Sequence, residues 1–301
     1  MHAFYWKESC VPVTIYLNGF DGSEDPSRAS GMSADQIIKS VTQAAHTWSG
    51  DAVSCTSGGV TSSPSFEIVP TVAAATAAPP PAAWDGHNSI IFRTESWSHS
   101  GKPGMDYAFE ALAVTTVTAR LDGHIVDADM EINGVSKSWM NLDPGYSVPF
   151  DHGAIHDVFD LQNALTHEFG HFIGLDHTCY IPSATNPLLS DLGKPRPNDD
   201  KGDPVPDCDG APSKISSTVM FNSAIPAETS KRVLSDDDRQ AICDIYPASR
   251  DTVVCALDSA SPGCAVAAER PRTGRRRSLG LGLGTLGLLG VGAARRRVRR
   301  A

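Results

Sequence analysis

Basic residues are sparse over the first 264 positions, where 15 Lys and Arg stand against 34 Asp and Glu for a net charge of −19. Such a surface repels backbone phosphates, which argues against nucleic-acid binding and leaves cationic substrates or plain solubility as the meaning of the charge. Long apolar runs are lacking as well. Met1 to Cys10 contains no apolar stretch followed by a cleavage site, so no secretory leader is visible. The expectation is that the chain begins inside a longer gene product or has a misassigned start. The one sustained run, Leu279 to Ala294, is 16 residues of apolar side chains, Gly and Thr. It falls short of the roughly 17–25 needed to cross a bilayer. With 301 residues, 41% of them apolar, the chain can bury one core of about 150–250 residues and carry appendages.

Periodicity places the elements. Val11 to Asn18 alternates and is rich in β-branched residues, which predicts the first strand. Ile37, Ile38, Val41, Ala44, Ala45 and Trp48 follow helical spacing over Ala34 to Trp48, with Ser33 and Gln36 as a capping box. Phe66 to Val69, Asn88 to Arg93, Ala111 to Thr118 and Gly123 to Asn133 read as further strands, the last two joined by a turn at Asp122-Gly123. Pro70 to Ala83 holds three successive prolines and reads as a surface loop. Asp160 is placed to cap a helix over Leu161 to Gly174, packing Leu161, Leu165, Phe169 and Phe172 inward, and Ser235 with Asp238 to cap another that ends at Tyr246-Pro247.

The first of those two helices carries His167-Glu168-Phe169-Gly170-His171-Phe172-Ile173-Gly174-Leu175-Asp176-His177. Two histidines four apart share one helix face with Cβ atoms about 5–6 Å apart, so both imidazoles can reach one small cation. Gly174 can leave the helix in a left-handed conformation and return His177 to the same ion. Three neutral nitrogens and an open position describe a catalytic zinc site, since structural zinc is usually closed by four protein ligands. Glu168 does not ligate; it is placed to deprotonate the water there. The five fixed positions should arise by chance in roughly one in 10^5 chains of this length. The plain alternative is a buried amphipathic helix whose histidines only pack.

The motif resembles that of the metzincin zinc proteases, and within them the matrixin-like group. The resemblance implies a methionine turn beneath the metal, and Ser217-Thr218-Val219-Met220-Phe221 supplies it with Met220. Asn222 stands where related groups carry a tyrosine, and Thr178 follows the third histidine as a small hydroxyl residue does in matrixins. The implied fold is α+β, a metzincin or zincin-like catalytic domain: a mixed twisted sheet with a long packing helix, an active-site helix and a C-terminal helix. The phrases Ala113 to Thr116 and Asp127 to Asn133 resemble matrixin sheet segments, including the edge strand against which extended substrate docks by β-addition; Phe221 to Val233 would wall the pocket for the residue after the cut bond, and Asp237 or Asp238 would bond back to the methionine turn or simply complement the helix dipole. The structural zinc of vertebrate members does not carry over, because the matching histidine is missing from Ala111 to Thr116. Asp127, Asp129 and Glu131 offer oxygens that suit Ca2+, although alternating acids on a solvent-facing strand explain them more simply. Asp199, Asp200, Asp203, Asp207 and Asp209 in the Pro-rich segment Thr178 to Lys214 form a second calcium candidate. His124 and His152 read as surface residues.

Seven cysteines beside a histidine-ligated metal point to oxidised pairs outside the cytoplasm. The pairing expected is Cys10 with Cys55, Cys179 with Cys208 and Cys243 with Cys255, leaving Cys264; sequence alone does not fix connectivity. A further reading makes Cys10 a latency thiol on the metal. Cys264, the Gly/Leu-rich run and the terminal arginines together resemble the C-terminal sorting tails of myxobacterial surface proteins, cleaved near Cys264; a retained anchor is the alternative. The expected organisation is a protease domain at 5–250, a linker at 251–278 and a sorting tail at 279–301. The expected protein is a metalloendopeptidase with one catalytic Zn2+, monomeric, outside the cell or on the surface of a bacterium, acting on protein or peptide and touching membrane only through its tail. The rival is a surface adhesion module on the same scaffold with little or no proteolysis.

Overall fold

The computed structural model describes residues 3–17, 32–50, 52–55, 61–71, 81–143, 158–183, 195–199 and 202–249. The linker, Cys255, Cys264, the tail, His152 and Asp200 lie outside the described residues. The fold is mixed α+β around a mainly parallel sheet. The strands are β1 (Cys10–Tyr16), β2 (Ser65–Thr71), β3 (Ser89–Arg93), β4 (Ala113–Ala119) and β5 (Ile125–Asn133), in the spatial order β2-β1-β3-β5-β4. β1 pairs in parallel with β2 and β3, β3 in parallel with β5, and β4 runs antiparallel on the edge against β5. Parallel neighbours need a crossover, and α1 (Ala34–Thr47) supplies it between β1 and β2. Its start is fixed as the sequence predicts: Gln36 N–H donates to the Ser33 hydroxyl and Ser33 N–H donates to the Gln36 side chain.

One sheet face packs on two helices. Val13, Ile15, Phe92, Met130 and Ile132 meet Ile37, Val41 and Trp48 around α1 and Leu165, Phe169 and Phe172 of α2 (Leu161–Phe172). Each fully buried aliphatic or aromatic side chain contributes about 1.5–3 kcal/mol. Trp48 also ties the helices together, its indole N–H donating to the Thr166 carbonyl at 2.7 Å. Two short strands, β6 (Ser138–Met140) and β7 (Val158–Asp160), pair in parallel and lead into α2. The four-residue α3 (Ser213–Ser216) precedes the Met220 segment, and α4 (Asp236–Ile245) follows it with the predicted Ser235/Asp238 capping box.

Several expectations are corrected. Pro70 lies inside β2, not in a loop; β2 is an edge strand, where the missing N–H costs no ladder bond. Cys55 bonds to Cys243, not to Cys10, and so Cys243 does not pair with Cys255. Cys179 does pair with Cys208. Cys10 is itself disulfide-bonded, which removes the latency-thiol reading. Disulfides of this kind persist in oxidising compartments. Among the described residues no helix is long and apolar enough to cross a membrane. His124 is buried, with Nε2 3.0 Å from Glu8 Oε2 and its ring stacked near Tyr5.

Asp127, Asp129 and Glu131 are not solvent-facing: they are buried on the second face of the sheet, which the segments around 82–89 and 97–107 cover. Asp127 accepts from the backbone N–H groups of Asp85 and Gly86. Glu131 pairs with Arg93 at 2.5 Å and accepts from the Tyr107 hydroxyl and Ser100 N–H. Asp129 accepts from the Ser89 hydroxyl. Burial pushes Asp129 up to about 7; the Ser89 bond pulls the other way, and Asp127 and Asp85 add to the rise.

This makes a pH prediction. Between about pH 4 and about 7 the folded chain holds a proton that the unfolded chain has released, so Asp129 lowers stability as pH rises through that window. Asp129→Asn keeps an acceptor for Ser89. It should be neutral near pH 4 and up to about 4 kcal/mol more stable than the parent at pH 8. Melting curves at the two pH values test this, and an equal difference at both contradicts it.

Candidate metal centre

Asp160 starts α2: its Oδ1 accepts from Asn163 N–H at 2.7 Å, and the same carboxylate is clasped by the Arg232 guanidinium. One turn apart on this helix, His167 and His171 face the same side. The helix ends where Gly174 takes φ +96, with Leu175 N–H donating to the Gly170 carbonyl. A Cβ at Gly174 would lie 2.3 Å from the Phe4 carbonyl oxygen, so both the positive φ and the close approach require glycine. Around that turn the chain brings His177 back beneath the helix.

The three rings are near neighbours, with centroids 4.8 Å apart for His167 and His171, 5.2 Å for His167 and His177, and 4.7 Å for His171 and His177. One nitrogen from each falls within 4.8 Å of the others, and among the described residues this is the one such group of three or more His, Cys, Asp or Glu side chains. Backbone carbonyls set the tautomers. His167 Nδ1 lies 2.7 Å from the Val219 carbonyl and His171 Nδ1 2.8 Å from that of Leu175, and a carbonyl can only accept. Each Nδ1 therefore carries the proton, and each Nε2 presents a lone pair. His171 Nε2 stands 3.1 Å from His177 Nε2. Two ligand nitrogens on a tetrahedral ion with bonds of 2.0–2.1 Å stand roughly 3.3 Å apart, so the donor set fits such an ion. Burial holds the His167 imidazole well below its usual range, and Lys231 and the other two histidines push the same way, which favours the neutral form, the one able to ligate a cation.

The Met220 segment forms the floor. Val219 and Met220 N–H donate to the two carboxylate oxygens of Asp238, at 2.8 and 3.3 Å, so Asp238 bonds back to this turn while also capping α4. Met220 is fully buried under α2; a Cβ at Gly170 would meet its Sδ at 2.1 Å. Thr178 N–H donates to the Met220 carbonyl, and the Thr178 hydroxyl donates to that of Thr218, which in turn donates to the Ile215 carbonyl. The turn after His177 and the floor are thus one hydrogen-bonded unit.

Glu168 is buried beside the three histidines, and burial pushes its carboxyl above the usual range; His171, Thr115 and Lys231 pull it back. The Thr115 hydroxyl of β4 donates to Glu168 Oε2 at 2.6 Å. Sequence reasoning placed Thr115 only as a strand residue and missed Lys231. Lys231 Nζ donates to the Phe221 carbonyl at 2.6 Å, its N–H to the Asn163 side chain, and burial brings its ammonium down to about 8. Arg232 on Asp160 and Asp143 holds the same segment against α2.

No family profile matches the chain, and no curated protein matches it. Nine solved chains do. One is the structure of myroilysin, 13% identical, with 81% of this chain and 82% of that one covered at a TM-score of 0.33. At that score the likeness bears neither on fold nor on chemistry. The calcium candidates at Asp127, Asp129 and Glu131 and in the segment after Thr178 find no support: the first three are engaged with protein partners, Asp207 pairs with Arg196, and Asp199 accepts from Asp203 N–H.

Proposed function

We propose that this chain is a zinc-dependent endopeptidase of the matrixin-like metzincin type, cleaving peptide bonds in proteins outside the cell. The observation that carries the reading is the convergence of three imidazole nitrogens beside a buried carboxylate that takes no part in their cluster. His167, His171 and His177 would hold the ion. When bound, zinc polarises a carbonyl and lowers the pKa of water from 15.7 to about 7. Glu168 then takes the proton from the attacking water and delivers it to the leaving amine, as a carboxyl with a raised pKa suits. β4, the edge strand among the described residues, offers backbone groups to an extended peptide, and the segment from Phe221 to Val233 borders the side chain that follows the cut bond. Cys264 and the tail at 279–301 belong to the same proposal as a surface-sorting signal.

Glu168→Gln is the test. It should keep the metal while cleavage of casein or gelatin falls by about 10^2–10^4. Cleavage unchanged in the variant, or unchanged by chelator in the parent, overturns the proposal and favours an adhesion module.

A further inference from the structure

Thr115 lies in the edge strand β4, far in sequence from α2, and nothing in the motif calls for a hydroxyl there. Its side chain is nonetheless buried against the helix, and its Oγ1 is 2.6 Å from Glu168 Oε2 and 3.4 Å from the Glu168 backbone carbonyl. A hydroxyl has one proton to give, and the shorter contact to an ionised oxygen is the stronger bond. Among the described residues no hydrogen bond reaches the other carboxylate oxygen, Oε1. The carboxylate is thereby held at one corner and open at the other.

We infer that Thr115 is a positioning residue for Glu168: its hydroxyl fixes the rotation of the carboxylate, so that Oε1 faces the attacking water, and it links the substrate-docking strand to the base. This rests on the reading of Glu168 as the base. A freely rotating carboxylate would spend part of its time with neither oxygen aligned for proton transfer, and alignment matters because rate falls steeply with misplacement of a reacting group. The strand that binds the peptide and the group that activates water would then move together.

The test compares Thr115→Val, Thr115→Ala and Thr115→Ser with the parent in the full chain, using a fluorogenic peptide and measuring metal content alongside. Removal of the hydroxyl should lower kcat by about 10- to 100-fold, the range of one hydrogen bond to a charged group, with KM and metal content unchanged. Alanine adds no methyl against the carboxylate and covers the case in which valine fails to fold. Serine, which restores the donor without the methyl, should recover kcat to within a few fold. A kcat equal to the parent in the valine or alanine variant overturns the inference, as does a serine variant no better than alanine, since that would make Thr115 a packing residue. Glu168→Gln, assayed in parallel, separates the two levels: if it keeps full turnover, the reading of Glu168 as base fails. If it is inactive while the Thr115 variants are not, only the inference about Thr115 fails.

Discussion

Gly170→Ala should cost the protein about 1–2 kcal/mol and weaken the candidate metal site with it. In an exposed helix the same substitution would stabilise by about 0.8–1.0 kcal/mol, because alanine loses less backbone freedom on folding. Here the added Cβ would fall 2.1 Å from Met220 Sδ, 3.0 Å from its methyl and 3.1 Å from Trp48 Cζ2. Met220 is flexible in principle, but it is fully buried with its backbone bonded to Asp238, and Trp48 is fixed by its bond to Thr166. Overpacking of this kind costs about 1–3 kcal/mol or more and outweighs the propensity gain. Relief then requires the helix to rise from the floor, which carries His167 away from the Val219 carbonyl. Denaturant melts measure the effect, and the double variant with Met220→Ala locates its cause. The pair should be less destabilised than the sum of the singles. Strict additivity, or a Gly170→Ala protein as stable as the parent, contradicts the account.

His171→Ala should lower bound metal to background, abolish metal-dependent cleavage and make the melting temperature indifferent to chelator. The parent's melting temperature should fall when metal is removed, since a ligand that binds only the folded state stabilises it by mass action. The chain has paid in advance for binding at this position: the Nδ1 bond to Leu175 fixes both ring and tautomer, and the Gly174 turn that supplies Leu175 also delivers His177. Metal analysis and calorimetry with and without EDTA are the readouts. A variant that keeps one equivalent of metal, or a parent whose melting is unmoved by chelator, contradicts the prediction.

What could be read in advance was local. The Ser33 and Ser235 capping boxes, the Asp160 cap and the spacing of the three histidines each depend on residues a few positions apart, and each appears where the sequence puts it. The resemblance leaves Asp237 and Asp238 as candidates for the bond to the Met220 segment, and the geometry shows Asp238 making it. What could not be read depends on which distant segments meet. Period-two alternation says that Asp127, Asp129 and Glu131 share a face, but not that loops cover that face. Cysteine spacing does not reveal that Cys55 reaches α4. Thr115 and Lys231 acquire their meaning only when β4 and the segment after Met220 close on α2. Strands of three residues such as β6 and β7 are too short to show a pattern at all.

X-ray absorption at the zinc edge of the purified protein is the most direct measurement. Three imidazole nitrogens at 2.0–2.1 Å with one further light-atom ligand is the predicted first shell. A protein isolated without divalent metal, or a shell containing sulfur or fewer than three imidazoles, contradicts the claim that His167, His171 and His177 share one ion.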